Sequence, residues 1–291
     1  MSEAVQRDME AVILASPWSA RRVLSLLNVS EASYYRRKQR RVWQHGGGRR
    51  PVDVASVTAI LETARRHTEY GYRQVAAALR WEHPDIRVSA STVYRVLRQH
   101  GLLGRPIARH TPSKRAWVRF ERSRPNELWQ VDVSYWYIEG WGFYYLHTVL
   151  DDHSRFVITS QLLRTYGAED GVRMLQTALA AVPAAERQGL EILVDHGVTY
   201  TAESFQATCK ESSVHLIFAS VRHPQTKGKL ERWHRTIRAA LEDRLRNAPT
   251  PQEAQRMIDK WVKHYNDERP HQACDGYPPA SRYRSEFQLL A

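Results

Sequence analysis

Apolar positions recur at helical spacing along the first hundred residues and then give way to strand-like runs. Residues 5–41 read as short helices, with one over Ala20–Leu27 and another opened by Ser30, a good N-cap, and running through Tyr34, Tyr35 and Arg36. His45-Gly46-Gly47-Gly48-Arg49 interrupts the pattern and predicts a flexible linker. Helical spacing returns over Val52–His67, Tyr72–Trp81 and Ser89–His100, with Ser89 as N-cap and Gly101 as a C-terminal stop. Proline and basic residues over 105–124 predict an extended linker. From Glu127 the pattern predicts strands at Leu128–Ile138, Phe143–Asp151 and Phe156–Leu163, with a turn at Glu139–Gly142. A helix near Ala168–Ala181, a strand at Leu190–Val194, a helix over Ala202–Ser212 and a strand at Val214–Ala219 follow. Helices over Thr226–Arg246 and Gln252–Asn266 close the region.

Two features of this order are informative. Val29-Ser30-x-x-Ser33-x-Tyr35-Arg36 is echoed 59 residues later by Val88-Ser89-x-x-Thr92-x-Tyr94-Arg95. Each copy follows a shorter helix, which is the layout of a helix-turn-helix. The second helix of such a motif enters the DNA major groove by its N-terminal end. Ser33, Tyr35 and Arg36, with Ser91, Thr92, Tyr94 and Arg95, are therefore the expected DNA contacts. The later order, βββαβαβα, is that of an α/β ribonuclease-H-like domain, a mixed five-stranded sheet with helices on both faces. The expected domains are helix-turn-helix modules at 1–44 and 50–104, the linker, a catalytic domain over 125–270 and a tail over 271–291.

Charge sharpens the division. Net charge is +12 with a pI near 9.9. Residues 1–115 hold 21 Lys and Arg against 9 Asp and Glu, whereas 116–291 hold 22 of each. The whole excess thus lies on the helical modules, and a basic balance of that size points to nucleic acid before membrane. Two distant cysteines, Cys209 and Cys274, exclude a disulfide framework and a Cys-rich zinc site, and they fit a reducing cytosol. No signal peptide and no membrane-spanning apolar run is present in the sequence. His153, His215 and His223 lack the spacing of a zinc site and read as structural.

Three carboxylates carry the candidate chemistry. Asp132 interrupts an apolar strand, where a carboxylate is costly unless paired or metal-bound. Asp195 ends a strand before His196-Gly197, at the crevice where α/β sheets bind ligands. Glu231 lies on a helix, with 35 residues between it and Asp195. Each alone has a bland reading: an exposed strand Asp, a turn Asp, a solvated Glu. Together they are a set suited to hard divalent cations such as Mg²⁺. Lys227, Lys229 and Arg232 can be solvated, but clustering beside Glu231 favours phosphate contact. His196 adjoins Asp195 and is a further candidate. His234, Arg235 and Arg238 share the helical face of Glu231.

These stretches resemble the insertion-sequence-3 family of transposases, the OrfB-type catalytic protein of the retroviral-integrase superfamily. The resemblance runs through Leu27-Asn28-Val29-Ser30, Tyr70-Gly71-Tyr72-Arg73, Asn126 to Tyr135, Asp195-His196-Gly197, His223 to Arg232 and Tyr265-Asn266 with Arg269-Pro270-His271. It departs at His196, where Arg or Asn is usual, and at Ser134, where Thr is usual. It implies a DDE enzyme with catalytic and metal-binding Asp132, Asp195 and Glu231, using two Mg²⁺ ions for which Mn²⁺ substitutes. It also implies a basic residue seven positions after the glutamate, here Arg238; Lys227 and Lys229 by their clustering, and Arg235 by its helical face, are further expected DNA contacts. The implied partners are double-stranded DNA (element ends and target), further copies in a synaptic complex and an upstream OrfA-type protein, in the bacterial cytoplasm at the nucleoid. A ribonuclease-H-like nuclease without strand transfer and a catalytically silent DNA-binding regulator are the alternatives.

Overall fold

Ser30 Oγ accepts the backbone N–H of Ser33 at 3.2 Å, and Ser89 Oγ accepts that of Thr92 at 3.1 Å. Both predicted N-caps therefore satisfy a donor that the first turn of a helix leaves unpaired. The computed structural model describes residues 3–35, 51–103, 121–219 and 228–284, which fall into two units, 1–53 and 54–291. The stretch at 45–49 and most of the expected 105–124 linker lie outside the described residues.

In the first unit, α1 (Glu3–Ala15), α2 (Ala20–Leu26) and a helical run at 31–35 bury Met9, Leu24 and Tyr34 together. Asn28, at φ 55°, stops α2, and the next N–H, that of Val29, reaches back to Leu24 O.

The second unit begins with α3 (Val54–Arg66), α4 (Tyr72–Glu82) and α5 (Ala90–Gln99), packed through Ile60, Val75, Leu79, Val93 and Leu97. Gly101 ends α5 at φ 68°, as a residue without Cβ can do at no steric cost. The sheet follows as β1 (Leu128–Ile138), β2 (Gly142–Asp151), β3 (Val157–Leu163), β4 (Glu191–Val194) and β5 (His215–Phe218). Its order is β3-β2-β1-β4-β5, antiparallel on the β3 side of β1 and parallel on the other. That is the expected ribonuclease-H-like arrangement.

Strand alternation sorts β1 between two apolar layers. Trp129 and Val131 face α6 (Ala168–Ala180) and α8 (Glu203–Glu211), which contribute Met174, Leu175 and Phe205. Trp136 and Ile138 face α9 (Gly228–Arg246) and α10 (Pro251–Asp267), which contribute Trp233, Ile237, Ile258 and Trp261. A short helix not foreseen, α7 (Val198–Thr201), precedes α8, and Ala202 separates the two in extended backbone. The free edge of β3 is closed by amides from α10. Gln255 accepts Leu162 N–H at 2.6 Å, and Asn266 exchanges two 2.9 Å bonds with Val157.

Two boundaries differ from expectation. The second helical module lies in one unit with the sheet: Gln74 Nε2 donates to Pro270 O at 3.0 Å, and a Cβ at Gly276 would come within 2.9 Å of Ala77. The supposed tail is folded up to Arg284. Tyr283, in α11 (Ala280–Tyr283), stacks on Phe156 at 4.2 Å and donates to Asn126 Oδ1 at 2.9 Å, while Cys274 is buried and donates to Ser154 O at 3.3 Å. Lacking periodic apolar residues, this segment is ordered by contacts with distant elements.

His271 lies in that segment. Its Nδ1 accepts Ala273 N–H at 3.1 Å, and burial first, then Arg155, Arg269, Arg232 and Arg282, push its pKa down from 6.5 to about 4. The folded ring stays neutral where the unfolded ring gains a proton. The unfolded state thus binds more protons between pH 6.5 and about 4, and stability is lost as pH falls through that window. At about 1.4 kcal/mol per pKa unit the loss is on the order of 3 kcal/mol. His271→Asn keeps an acceptor for Ala273 N–H and should weaken this dependence. Melting temperatures of both proteins across the window check it; parallel curves would show that His271 is not responsible.

Candidate active site

The parallel pairing of β1 with β4 sets the first two carboxylates side by side. Gln130 pairs with Leu193, so the same register carried two residues further brings Asp132 level with Asp195. Neighbouring strands lie about 4.8 Å apart. Asp195 leaves the end of β4 with Oδ1 accepting Gly197 N–H at 2.9 Å, and a Cβ on Gly197 would stand 2.8 Å from that oxygen. Glycine thus lets the chain turn tightly under the carboxylate.

The third carboxylate arrives on α9. Asp132 shares its strand parity with Trp136 and Ile138, so it points to the face that α9 covers. There His234 Nε2 lies 3.5 Å from Asp132 Oδ2. Glu231, exposed in the first turn of α9, precedes His234 by three residues and shares its face. The ligand atoms of the three carboxylates are not all within 4.8 Å of one another; among the described residues the one such set of three is His67, Glu69 and His264.

Two residues that sequence reading did not assign complete the surroundings. Tyr200 is buried, its hydroxyl has no hydrogen-bond partner, and burial followed by the charges of Asp132 and Asp195 raises its pKa well above the ordinary tyrosine value. Both ring nitrogens of His234 are likewise buried without a hydrogen bond. Unsatisfied buried polar atoms are costly, and here they border two aspartates. A donor set of carboxylates with orphaned polar atoms beside it fits hard divalent cations. His234 was legible as part of the face that Glu231 presents; Tyr200 closes the Asp195-to-Tyr200 stretch that shares the family resemblance, which gave it no role of its own.

Lys229, an expected phosphate contact, is engaged within the fold. Its ammonium donates to Asp152 Oδ1 at 2.5 Å and Asp152 O at 3.0 Å, and Asp152 is fully buried. Asp152 also accepts from Gln130 Nε2 at 2.7 Å and Arg122 N–H at 2.8 Å. Burial and then repulsion from Arg155 lower the Lys229 pKa, opposed by its bond to Asp152. Arg238 is also engaged by the fold. It donates to Tyr135 O and Glu242, both at 3.1 Å, and its guanidinium lies 4.7 Å over the Trp136 ring. Arg235 and His196 are exposed, the latter beside Phe218. Lys227 lies outside the described residues.

The helical-module residues divide similarly. Ser33 accepts from Ser30 Oγ at 2.8 Å, and Tyr35 is exposed beside buried Tyr34; Arg36 lies outside the described residues. On α5, Ser91 and Thr92 share hydrogen bonds with Ser89 Oγ, Tyr94 packs edge-on against Tyr72, and Arg95 is half-buried. A groove of about 910 Å³ runs from the start of α5 to the start of α9, lined by Arg73, Arg80, Arg155, Arg232 and Arg269. Sequence spacing could not show that these five arginines share one groove.

The family described as integrase core domain matches residues 122–224, a second family of the same description matches 212–279, and the HTH-like domain family matches 53–110. The chain is 25% identical over 293 residues to an uncharacterized 39.2 kDa protein of insertion element IS476 from Xanthomonas euvesicatoria, covering 98% of this chain and 78% of that protein. It is 26% identical over 300 residues to the InsD transposase of an IS2 element from Escherichia coli, covering 95% and 94%. Among solved structures, the catalytic core domain of HTLV-2 integrase in complex with magnesium aligns at 20% identity and a TM-score of 0.46, covering 56% of this chain and 99% of that one.

The placement of Lys229 makes a stability prediction. Lys229→Met strips a buried carboxylate of its cationic partner and should cost on the order of 3 kcal/mol. Denaturant midpoints measure it. A variant that unfolds at the wild-type midpoint and loses only DNA affinity would return Lys229 to phosphate contact.

Proposed function

We propose, for a chain that belongs to the insertion-sequence transposases built on an integrase core, that it binds the terminal inverted repeats of its element and catalyses metal-dependent cleavage and strand transfer. The observation that carries this reading is the β1–β4 register, which levels Asp132 with Asp195 beneath the helix bearing Glu231. These three carboxylates would hold two Mg²⁺ ions. When bound, the ions supply Lewis-acid stabilisation to the attacking and leaving oxygens of an in-line displacement.

The chain's own residues do the positioning. Lys229 and Arg238 hold α9 against the sheet at either side of Glu231. The groove's exposed guanidiniums, Arg73, Arg80 and Arg232, would lead phosphates from the helical module towards that helix, since a guanidinium can grip a phosphate by two parallel bonds. Two displacements follow on this scaffold. Water attacks the phosphodiester at the element's end, its new P–O bond replacing the P–O3′ bond, and the proton that water gives up is balanced by the one the departing 3′-oxygen takes to leave as a hydroxyl. That hydroxyl then attacks a target phosphodiester, forming one P–O bond as another breaks. Pairing two ends calls for more than one copy.

Asp132→Asn, Asp195→Asn and Glu231→Gln should each lower cleavage and joining by at least about a hundredfold, roughly 2.7 kcal/mol of barrier. Binding of the ends should change little, because the modules at 1–104 are untouched. Gel assays on labelled ends with Mg²⁺ measure both; a variant that still joins at a tenth of the wild-type rate would remove its residue from the set. Arg238→Ala should slow joining on a pre-cut end by up to about a hundredfold if α9 shifts by about 1 Å. Arg238→Lys should recover only part, since Lys lacks the fork that reaches Tyr135 O and Glu242 together. Wild-type joining by Arg238→Ala would assign the residue to packing alone.

A further inference from the structure

His67, Glu69 and His264 stand apart from the carboxylate site. His67 and Glu69 lie in the turn between α3 and α4, and His264 is in the last turn of α10. One ligand atom from each lies within 4.8 Å of the other two. We propose that this trio is a zinc site that clamps the second helical module to the catalytic domain.

The spacing suits a single small ion. Zinc–nitrogen and zinc–oxygen bonds of about 2.0–2.1 Å at tetrahedral angles place donor atoms about 3.4 Å apart. His264 Nε2 and Glu69 Oε1 are 3.4 Å apart already. His264 also has the outer partner that a ligating imidazole requires: its Nδ1 is bonded to Glu268 Oε2 at 2.8 Å. A carboxylate on the far nitrogen fixes ring orientation and aims the other nitrogen at the ion. The His67 ring lies 5.8 Å from that of His264 and is held against Tyr70, stacked at 4.4 Å. Two imidazoles and one carboxylate select a borderline cation such as Zn²⁺ over Mg²⁺, so this site and the three-carboxylate site would not compete for one metal. Water would take the fourth position of a tetrahedral ion.

The neighbouring charges permit the ion. Glu82 Oε1 lies 3.8 Å from His67 Nε2, so two further carboxylates, Glu82 and Glu268, border the trio and add to the charge of its own Glu69. Two guanidiniums oppose them: Arg66, bound to Glu82 at 3.3 Å, and Arg269, 3.6 Å from Glu69 Oε1. Arg269 Nη1 makes no hydrogen bond, and Tyr70 Oη approaches His264 Nε2 only to 3.4 Å, so neither contact is a strong competitor for the ligand atoms. The trio joins residues 197 positions apart in sequence, and zinc there closes a long loop.

The test uses the full untagged chain, stripped with chelator and carrying Asp132→Asn and Asp195→Asn to silence the carboxylate site. Zn²⁺ alone is titrated by calorimetry, Co²⁺ by its visible absorption, and Mg²⁺ serves as control. We expect one zinc per chain and a melting temperature raised by about 5–10 °C at free zinc ~100-fold above Kd. His67→Gln and His264→Gln should lose both effects while melting near the metal-free parent in chelator. Glu268→Gln, which leaves all ligands in place, should bind about 10–100-fold more weakly. No zinc binding by the parent, or undiminished binding by His264→Gln, overturns the proposal. Should His264→Gln fail to fold, wild-type affinity in Glu268→Gln overturns it equally.

Discussion

Helix α9 is fixed to the sheet by one buried ion pair, between Lys229 and Asp152, and the candidate active site depends on it. Asp152 lies at the β2–β3 turn with no exposure, and a carboxylate there must find a cation or be neutralised. Lys229 supplies the cation from the first turn of α9, and Gln130 and Arg122 occupy the remaining lone pairs. Such a pair adds little net stability over an apolar one, but it tolerates few alternative geometries. It sets both the axial position and the rotation of α9. Glu231 and His234, one and two turns into the helix, inherit that setting and come to the face of Asp132.

The same reasoning extends outward. Asp151, beside Asp152, is buried against Ser154 and Asn126, and burial raises its carboxyl pKa. Arg155 binds Glu121, which Arg282 also holds, and Arg282 stands in the closing helix. The β2–β3 turn is thus the point where the sheet, α9 and the C-terminal segment meet. At the other side of β1 the parallel strands β4 and β5 end together, at Val194 and Phe218, while β1 runs on through Asp132. A central β1 makes both arrangements possible, because only a strand with neighbours of both kinds can border the anchored turn and the parallel strand ends at once.

Local signals were legible where local physics decides. Ser30 and Ser89 cap helices because their hydroxyls reach N–H groups three residues away, and Gly101 stops α5 because it has no Cβ. The three carboxylates stood out because their residue types, strand positions and spacing repeat a pattern tied to one chemistry. The reading of Lys229 and Arg238 as DNA contacts left out the partners they have within the chain, for a general reason. A cation beside a catalytic glutamate looks the same in sequence whether it meets a phosphate or a buried carboxylate, since the partner that decides is 77 residues away for Lys229 and 103 for Arg238.

What the sequence determined by itself is therefore the order of elements, the caps that bound them, the strand parity that aims Asp132, and the excess charge on the helical modules. Each follows from interactions over a few residues or from simple addition. Tertiary structure decided the rest. It set the register that levels Asp132 with Asp195, buried Tyr200 between their fields, gathered arginines from five positions into one groove, and folded residues 271–284 back onto the β2–β3 turn. It also placed His264 beside His67 and Glu69. These depend on which surfaces pack, and packing is settled by the burial of whole faces at once, which no single stretch of the chain records.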